Sequence, residues 1–156
     1  MRNLIFVGLP GSGKSTVGRL CAKALNLPFV DADKFLEQRE GRSVADIFAS
    51  SGEGYFRDLE SRVLAELCRR EGIVLATGGG AVLHEENYAP LHQNGVIFWL
   101  RRDLDKLERD GRPLSRAGNL NAMYEMREKR YLRFADYIID NNRALEDTVE
   151  DIRKVI

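Results

Sequence analysis

A segment near the N-terminus, residues 8–16, combines the residue types and the spacing that bind phosphate groups in proteins. Its sequence GLPGSGKST fits the pattern G-x-x-x-x-G-K-[ST], in which backbone N–H groups and the start of a helix surround an anion. In this pattern Lys14 reaches the β- and γ-phosphates of a nucleoside triphosphate, and the hydroxyl of Ser15 ligates Mg²⁺. The predicted nucleotide-binding residues are Gly11, Ser12, Gly13, Lys14, Ser15 and Thr16.

Two carboxylates, Asp31 and Asp33, follow the second predicted strand, and in an extended segment alternate residues share a face. The third predicted strand is followed by Thr77 and three glycines, at a place where many P-loop proteins carry a metal-binding Asp. We therefore expect Asp31 to serve the metal through a metal-bound water. The glycines at 78–80 form either a turn with positive φ or a backbone surface that a small ligand can approach closely.

Arg57 and Glu60 are three residues apart on a predicted helix and therefore share a face. The pair is either an ordinary surface ion pair or an arginine held in place to bind a carboxylate through two parallel hydrogen bonds. Arg127 and Tyr131 are four residues apart on a later helix, and each is interpreted singly as a solvated charge or a packing group.

Short apolar strands alternate with helices along the chain, which predicts a parallel sheet covered by helices on both faces. Because the phosphate loop follows the first of five strands, the pattern indicates an α/β/α sandwich of the P-loop, nucleoside monophosphate kinase-like type. In open sheets of this kind, ligands bind at the carboxyl ends of the strands. Strands are expected at residues 4–7, 29–30, 73–76, 96–100 and 137–139, and helices at 14–25, 33–40, 44–49, 55–69, 104–108, 121–134 and 145–155.

The chain of 156 residues is long enough for one domain with a core, and its net charge of zero implies no general affinity for nucleic acid or membranes. Between residues 101 and 133 there are ten Lys/Arg and six Asp/Glu, and the loop at about 109–119 is predicted to be either a connection or a mobile lid. Cys21 and Cys68 lie in helical apolar patterns, which predicts buried thiols in a reducing compartment. We expect a cytoplasmic protein without a targeting segment.

Several motifs accompany the phosphate loop in a fixed order, and together they resemble shikimate kinase over nearly the whole chain. The phosphate loop alone fits many families, whereas the ordered set of D-A-D, F-R-D-L-E and T-G-G-G is far more specific. The resemblance implies transfer of the γ-phosphoryl group of ATP to the 3-hydroxyl of shikimate, with Mg²⁺, in aromatic amino acid biosynthesis. The matching segments are 8–16 (GLPGSGKST), 31–33 (DAD), 56–60 (FRDLE), 77–80 (TGGG), 112–114 (RPL), 127–136 (R-x-x-x-Y before A-D) and 139–143 (IDNNR).

On the substrate side, the resemblance implies that Asp33 holds hydroxyl groups of shikimate and is placed to accept the proton of the attacking one. It also implies that Arg57 and Arg127 bind the carboxylate of shikimate. The backbone of three consecutive glycines would lie against the ring, with the middle one as the first candidate. These glycines are Gly78, Gly79 and Gly80.

On the nucleotide side, the resemblance implies that Arg112 closes with the lid and contacts the phosphates. Arg112 would thereby join Asp33 and Lys14 in catalysis, because a closed lid excludes the water that competes for the γ-phosphate. Arg143 would lie beside the adenine. The predicted metal ligands, Ser15 and Asp31, match their family positions.

The chain departs from the family pattern at a few places. The stretch between Leu114 and Arg127 is short, and no proline stands between Arg127 and Tyr131. Arg116 and Arg130 lie close in sequence to the assigned arginines, so either assignment can move to its neighbour.

The nearest alternative is another small-molecule kinase of this architecture, with gluconate or a nucleoside monophosphate as the phosphoryl acceptor. A second alternative is a non-catalytic nucleotide-binding regulator, which is less favoured because Lys14, Asp33 and Arg57 are all present. A GTP-dependent switch is disfavoured because no N-K-x-D motif follows a strand. The expected form is a monomer that acts on a small molecule.

Overall fold

The computed structural model of this chain describes residues 1–103 and 117–156, with the backbone alone described for residues 117–121. Its strands are β1 (Asn3–Val7), β2 (Phe29–Asp31), β3 (Val74–Ala76), β4 (Gly95–Arg101) and β5 (Tyr137–Asp140). They form one parallel sheet in the order β2-β3-β1-β4-β5. The first strand therefore lies at the centre, and the loop that follows it opens at the middle of the carboxyl edge of the sheet.

Helices connect these parallel strands, as is usual for crossover connections, and a last helix follows β5. They are α1 (Lys14–Leu25), α2 (Ala32–Glu40), α3 (Val44–Leu67), α4 (Tyr88–Gln93), α5 (Ala117–Phe134) and α6 (Leu145–Val155). Two short 3₁₀ turns, Ala81–Leu83 and Glu85–Asn87, follow β3. None of the helices in the described part of the chain is long and apolar enough to cross a membrane.

The central strands β1, β3 and β4 are buried on both faces, as their continuous apolar runs predict, whereas the edge strands β2 and β5 are partly exposed. Residues of β1 alternate between two cores, with Ile5 and Val7 in one and Leu4 and Phe6 in the other. The first core packs the sheet against α2, α3, α4 and α5, and the second packs it against α1 and α6. The predicted three-layer sandwich with five parallel strands is therefore confirmed.

Helix α3 contains a sharp break at Gly52, whose φ of 84° and ψ of 171° are not helical. The two helices predicted at 44–49 and 55–69 are the two halves of this element on either side of the break. At its start the side chain of Ser43 accepts a hydrogen bond of 3.1 Å from the backbone N–H of Asp46 and caps the helix. The second half carries the functional side chains.

Two of the helices differ clearly from the predicted ones. Helix α5 begins at Ala117, four residues before the predicted start. Helix α4 was not predicted because its six residues, with Pro90 in the first turn, are too few to show a helical period. The predicted helix at 104–108 and the lid residues 109–116 lie outside the described residues, and residues 117–119 belong to α5.

Both cysteines are free thiols in the core, as the apolar patterns predict. Cys21 is fully buried and Cys68 is 3% exposed. Burial raises the pKa of Cys21 to about 11 and that of Cys68 to about 12, so both stay protonated at neutral pH. They act as small hydrophobic residues.

Candidate active site

The phosphate loop runs from the end of β1 to the start of α1, as the sequence predicts. Gly13, which precedes the helix, has a φ of 98°, a left-handed conformation that favours glycine. The first N–H groups of the helix have no partner within it and carry the positive end of its dipole. The loop borders a cavity of about 390 Å³ whose lining includes Lys14, Ser15, Asp31 and Asp33.

The Lys14 side chain is folded onto its own loop. Its Nζ donates hydrogen bonds to the carbonyl oxygens of Gly8, at 2.7 Å, and Leu9, at 3.1 Å. An anionic phosphate oxygen is a stronger acceptor than these neutral carbonyls. The ammonium group is therefore held at the edge of the cavity where a phosphate would bind.

Ser15 and Asp31 bring two oxygen atoms together at one side of this cavity. The Ser15 hydroxyl donates a hydrogen bond of 2.8 Å to Oδ2 of Asp31. A hydroxyl beside a carboxylate is the hard oxygen donor set that suits Mg²⁺, which keeps several waters and binds phosphate oxygens as well. The pair fits the metal role that the sequence predicts for it.

Thr77, which stands where P-loop proteins often carry an Asp, is tied to the sheet. Its Oγ1 donates a hydrogen bond of 2.8 Å to the carbonyl oxygen of Phe6, and only 4% of the residue is exposed. The hydroxyl therefore joins the ends of β3 and β1. Thr77 therefore offers the phosphate cavity no carboxylate, and the carboxylate that contacts Ser15 comes from Asp31.

The prediction that Asp31 and Asp33 lie on one face of an extended segment is wrong in its geometry. Helix α2 begins at Ala32, one residue earlier than predicted, because Oδ1 of Asp31 accepts a hydrogen bond of 3.2 Å from the N–H of Lys34. Asp31 thus caps the helix and Asp33 lies in its first turn. Both carboxylates still line the phosphate cavity.

Asp33 lies where the phosphate cavity meets a second cavity of about 280 Å³, and it lines both. Burial, together with the nearby carboxylates of Glu60 and Asp31, raises the pKa of Asp33 to about 6. Within the described part of the chain, its Oδ1 has no hydrogen-bond partner. A buried carboxylate with these properties suits a group that receives hydrogen bonds and a proton from a ligand hydroxyl.

The glycines after β3 leave space that side chains would fill. A Cβ atom on Gly78 would lie 2.7 Å from Oδ1 of Asp33, and one on Gly80 would lie 2.7 Å from Cζ of Arg57. All three glycines lie outside the positive-φ region, so the interpretation as a left-handed turn is wrong. Close approach of neighbouring groups is the reason for glycine here.

Arg57 and Glu60 form a buried ion pair in the second cavity. Nη1 of Arg57 donates a hydrogen bond of 2.8 Å to Oε1 of Glu60, and the side chains are 11% and 3% exposed. The rings of Phe48 and Phe56 lie 6.0 Å and 5.1 Å from the guanidinium carbon. The prediction of an arginine held in place by Glu60 is confirmed, and the surface ion pair is excluded.

Helix α5 brings Arg127 and Tyr131 to the same region. Arg127 lines the second cavity, and its Nη1 would lie 3.2 Å from a Cβ atom on Gly79. The Tyr131 hydroxyl donates a hydrogen bond of 2.8 Å to the carbonyl oxygen of Gly79, and its ring stacks on Trp99 with 5.3 Å between centroids. Burial raises the pKa of Tyr131 to about 12, so the hydroxyl keeps its proton at neutral pH.

The neighbouring Arg130 is used elsewhere. Its Nε donates a hydrogen bond of 2.9 Å to the carbonyl oxygen of Val82, and its Nη2 lies 3.1 Å from Oε1 of Glu85. Of the two arginines that the sequence left open, Arg127 is the one that lines the cavity. Arg112 and Arg116 lie outside the described residues.

Arg143 follows β5 on the far side of the phosphate loop. Its Nη2 forms an ion pair with Asp151 on α6 and donates a hydrogen bond of 3.2 Å to the carbonyl oxygen of Asp140. A third cavity, of about 370 Å³, lies nearby at the ends of β4 and β5, and its lining includes Ser12 and Asn142. A contact between Arg143 and adenine stays a prediction.

Sequence reasoning missed the apolar wall of the second cavity, which includes Phe48, Phe56 and Met123. Phe56 stands within a recognised motif, so its place beside Arg57 could have been inferred. Phe48 and Met123 come from distant parts of the chain, and their helical spacing looks the same as that of core residues. Only the placement of α3 and α5 around the same cavity distinguishes them.

Comparison with known proteins gives a consistent result. The sequence model of the family described as shikimate kinase matches residues 10–156. A shikimate kinase of Pseudomonas putida is 45% identical, with 91% of this chain and 88% of the relative covered. One from Burkholderia thailandensis is 44% identical, with 90% of this chain and 82% of the relative covered.

Solved structures agree with the sequence relatives. The structure described as shikimate kinase from Acinetobacter baumannii in complex with shikimate has a TM-score of 0.92 and 33% identity, and covers 99% of this chain and 92% of its own. Shikimate kinase from Aquifex aeolicus has a TM-score of 0.87 and 33% identity, with 97% and 94% covered. This chain belongs to the shikimate kinase family.

Proposed function

We propose that this protein transfers the γ-phosphoryl group of ATP to the 3-hydroxyl of shikimate, within the pathway to the aromatic amino acids. ATP-dependent phosphorylation of shikimate is the activity of the family to which the chain belongs. The transfer to the 3-hydroxyl of shikimate is supported by one observation, which is that two cavities meet at Asp33. One cavity is built for phosphate, and the other presents two arginines to a small anion.

The second cavity supports shikimate as the acceptor. Arg57 and Arg127 both line it, and a pair of guanidinium groups suits the carboxylate of a small polar ring. Phe48 and Phe56 offer apolar surface to the ring carbons. Gluconate also carries a carboxylate but lacks a ring, and a nucleobase would call for stacking partners and amide donors.

Asp33 is the proposed proton acceptor. With a pKa of about 6 it is mostly ionised at neutral pH, yet it is basic enough to receive the proton of a hydroxyl during attack. Its Oδ1, unpaired within the described part of the chain, is available to a ligand hydroxyl. Gly78 keeps that oxygen accessible, because any side chain there would contact it.

On the donor side, the loop N–H groups and Lys14 are proposed to hold the phosphates. Phosphoryl transfer needs positioning and charge compensation more than covalent help. Ser15 and Asp31 would hold Mg²⁺, which when bound neutralises charge on the β- and γ-phosphates. Arg112 is proposed to add a further positive charge from the lid, and Arg143 to contact the adenine.

The protein is also proposed to act as a monomer in the cytoplasm. The buried thiols of Cys21 and Cys68 suit a reducing compartment. The monomeric form rests on the sequence alone, in which only 8% of the residues are aromatic.

The test is ADP release from ATP and Mg²⁺ with shikimate, with gluconate and nucleoside monophosphates assayed in parallel. We expect release that depends on shikimate and is lost in Lys14→Ala. Release with gluconate or a nucleotide acceptor instead would keep the P-loop assignment and overturn the role of the two arginines. Nucleotide binding without release for any acceptor would favour a regulator.

A further inference from the structure

Behind the phosphate loop, on the side away from its cavity, lies a buried polar side chain that the reaction described above does not use. Asn141, the residue after β5, is 6% exposed, and its Nδ2 donates a hydrogen bond of 2.6 Å to the carbonyl oxygen of Ser12. Its backbone N–H donates a hydrogen bond of 2.8 Å to the carbonyl oxygen of Arg101, which fixes it to the end of β4. Asn141 therefore links the rigid sheet to the phosphate loop.

A second residue determines how the amide of Asn141 is oriented. The hydroxyl of Thr148, on α6, donates a hydrogen bond of 2.8 Å to Oδ1 of Asn141, and Thr148 is fully buried. The carbonyl of Ser12 can only accept, so the amide nitrogen must face it and the amide oxygen must face Thr148. The hydroxyl of Thr148 satisfies that oxygen and selects the orientation in which Asn141 can donate to the loop.

The geometry of the peptide unit carries this contact to the nucleotide side. In a trans peptide the C=O of Ser12 and the N–H of Gly13 point in opposite directions. Because the carbonyl points at Asn141, the N–H of Gly13 points the other way, toward the phosphate cavity that Gly13 lines. A hydrogen bond to the carbonyl also polarises the peptide and makes its N–H a better donor.

Gly13 is packed directly against this amide. A Cβ atom on Gly13 would lie 2.5 Å from Nδ2 of Asn141, so the second glycine of the motif is required for space as well as for its φ of 98°. The close packing leaves the Ser12–Gly13 peptide little room to rotate while Asn141 is in place.

We propose that Asn141 and Thr148 are positioning residues for the nucleotide, which hold the Ser12–Gly13 peptide with its N–H toward the phosphates. The inference rests on the proposed use of ATP. It predicts that α6, which contributes Thr148 from outside the phosphate cavity, influences ATP and ADP affinity.

The experiment compares Thr148→Val with the wild-type protein. Valine matches threonine in shape and replaces its hydroxyl by a methyl group, so the amide of Asn141 loses the partner that orients it. We expect a dissociation constant for ADP, measured by calorimetry, that rises about three- to tenfold, as for a weakened hydrogen bond. The dissociation constant for shikimate without nucleotide should change by less than about twofold.

Three variants make the result specific. Thr148→Ser keeps the hydroxyl and should restore ADP affinity. Ile152→Val removes one buried methylene from the same helix and should lower the Tm without changing ADP affinity. Asn141→Asp, if it folds, should weaken ADP binding more than Thr148→Val, because it replaces the donor by an anion.

The outcomes separate this inference from the proposed function. Wild-type protein that binds no ADP would overturn both. Wild-type protein that binds ADP, with Thr148→Val binding it equally well, would overturn the positioning role alone. Equal losses of ADP and shikimate affinity in Thr148→Val would show a general structural role and would also overturn the inference. A loss confined to ADP, with the Gly13 amide resonance shifted in the free protein, would support it.

Discussion

The hydroxyl of Tyr131 donates a hydrogen bond of 2.8 Å to the carbonyl oxygen of Gly79, across 52 residues of sequence. This bond ties the backbone after β3 to helix α5, one turn after Arg127. One side chain therefore fixes the position of the middle glycine of the TGGG segment relative to the helix that carries the proposed carboxylate-binding arginine. The relationship predicts that Tyr131 contributes to shikimate binding, although it does not line the cavity.

Replacing Tyr131 by Phe should weaken shikimate binding by about 1 kcal/mol, or roughly fivefold, because the lost hydrogen bond frees the Gly79 peptide. The ring remains and keeps its stacking on Trp99. Calorimetry with shikimate measures the change, and ADP binding is the internal control. Unchanged shikimate affinity would mean that packing alone holds the Gly79 peptide.

Gly80→Ala should impair shikimate binding through a steric effect on Arg57. A Cβ atom at this position would lie 2.7 Å from the guanidinium carbon, which is closer than carbon atoms approach, so the arginine must move away from its place beside Glu60. We expect a KM for shikimate that rises at least about tenfold, as for a misplaced charged partner, with the KM for ATP little changed.

Gly54→Ala is the matched control for that change. Gly54 lies in α3, and nothing lies within 4 Å of the Cβ atom that alanine would add. Alanine there should stabilise the helix by about 0.5–1 kcal/mol and leave both KM values alone. Equal KM values for shikimate in the two variants would contradict the steric argument.

Asp33→Asn should stabilise the protein without ligands while it abolishes most turnover. The pKa of Asp33 is raised from 3.8 to about 6 in the folded state, chiefly by burial, so its ionisation opposes folding. Below pH 3.8 the carboxyl group is neutral in both the folded and the unfolded state, and it costs no stability. As the pH rises from 3.8 through 6, the free energy of unfolding falls by about 3 kcal/mol in full. Asparagine does not ionise, so the free energy of unfolding of the variant does not fall in this way.

Thermal unfolding of both proteins between pH 4 and pH 8 provides the measurement. The Tm of Asp33→Asn should exceed that of the wild type at pH 8, and the difference should shrink toward pH 4. In the wild type, kcat/KM for shikimate should fall as the pH drops below about 6, because the protonated acid cannot accept a proton. A constant Tm difference would contradict the raised pKa.

Local patterns predicted most of the fold because each strand is a short apolar run bounded by polar or glycine residues. The strand positions and the parallel sheet follow from such runs. The break at Gly52 follows from the gap between two helical patterns. The start of α2 could not be predicted, since it depends on whether Asp31 caps a helix or extends a strand. Both are ordinary roles for Asp.

The site was predictable where a motif is continuous in sequence and not where it depends on tertiary packing. The phosphate loop and the Arg57–Glu60 pair are local, so residue types and spacing suffice. The polar contact of Asn141 with the loop joins residues 129 apart, and nothing in its neighbourhood signals it. Arg127 and Arg130 are equivalent by type, and only the packing of α5 separates them.

Arg57→Ala should reduce both stability and shikimate binding, for different reasons. Stability falls by about 3 kcal/mol because the carboxylate of Glu60, only 2% exposed, loses its hydrogen-bonded counter-charge. Burial already raises the pKa of Glu60 even with Arg57 present, so the remaining carboxylate should protonate more readily. Binding falls because one of the two arginines that line the cavity is gone.

The double variant Arg57→Ala with Glu60→Gln separates these two effects. The neutral amide removes the uncompensated charge, so urea unfolding at pH 7.5 should recover much of the lost free energy of unfolding. Shikimate affinity should stay low, because glutamine cannot replace a guanidinium group as a partner for a carboxylate. If shikimate affinity returned together with stability, Arg57 would serve only to balance the charge of Glu60. The carboxylate of shikimate would then have to bind to Arg127 alone.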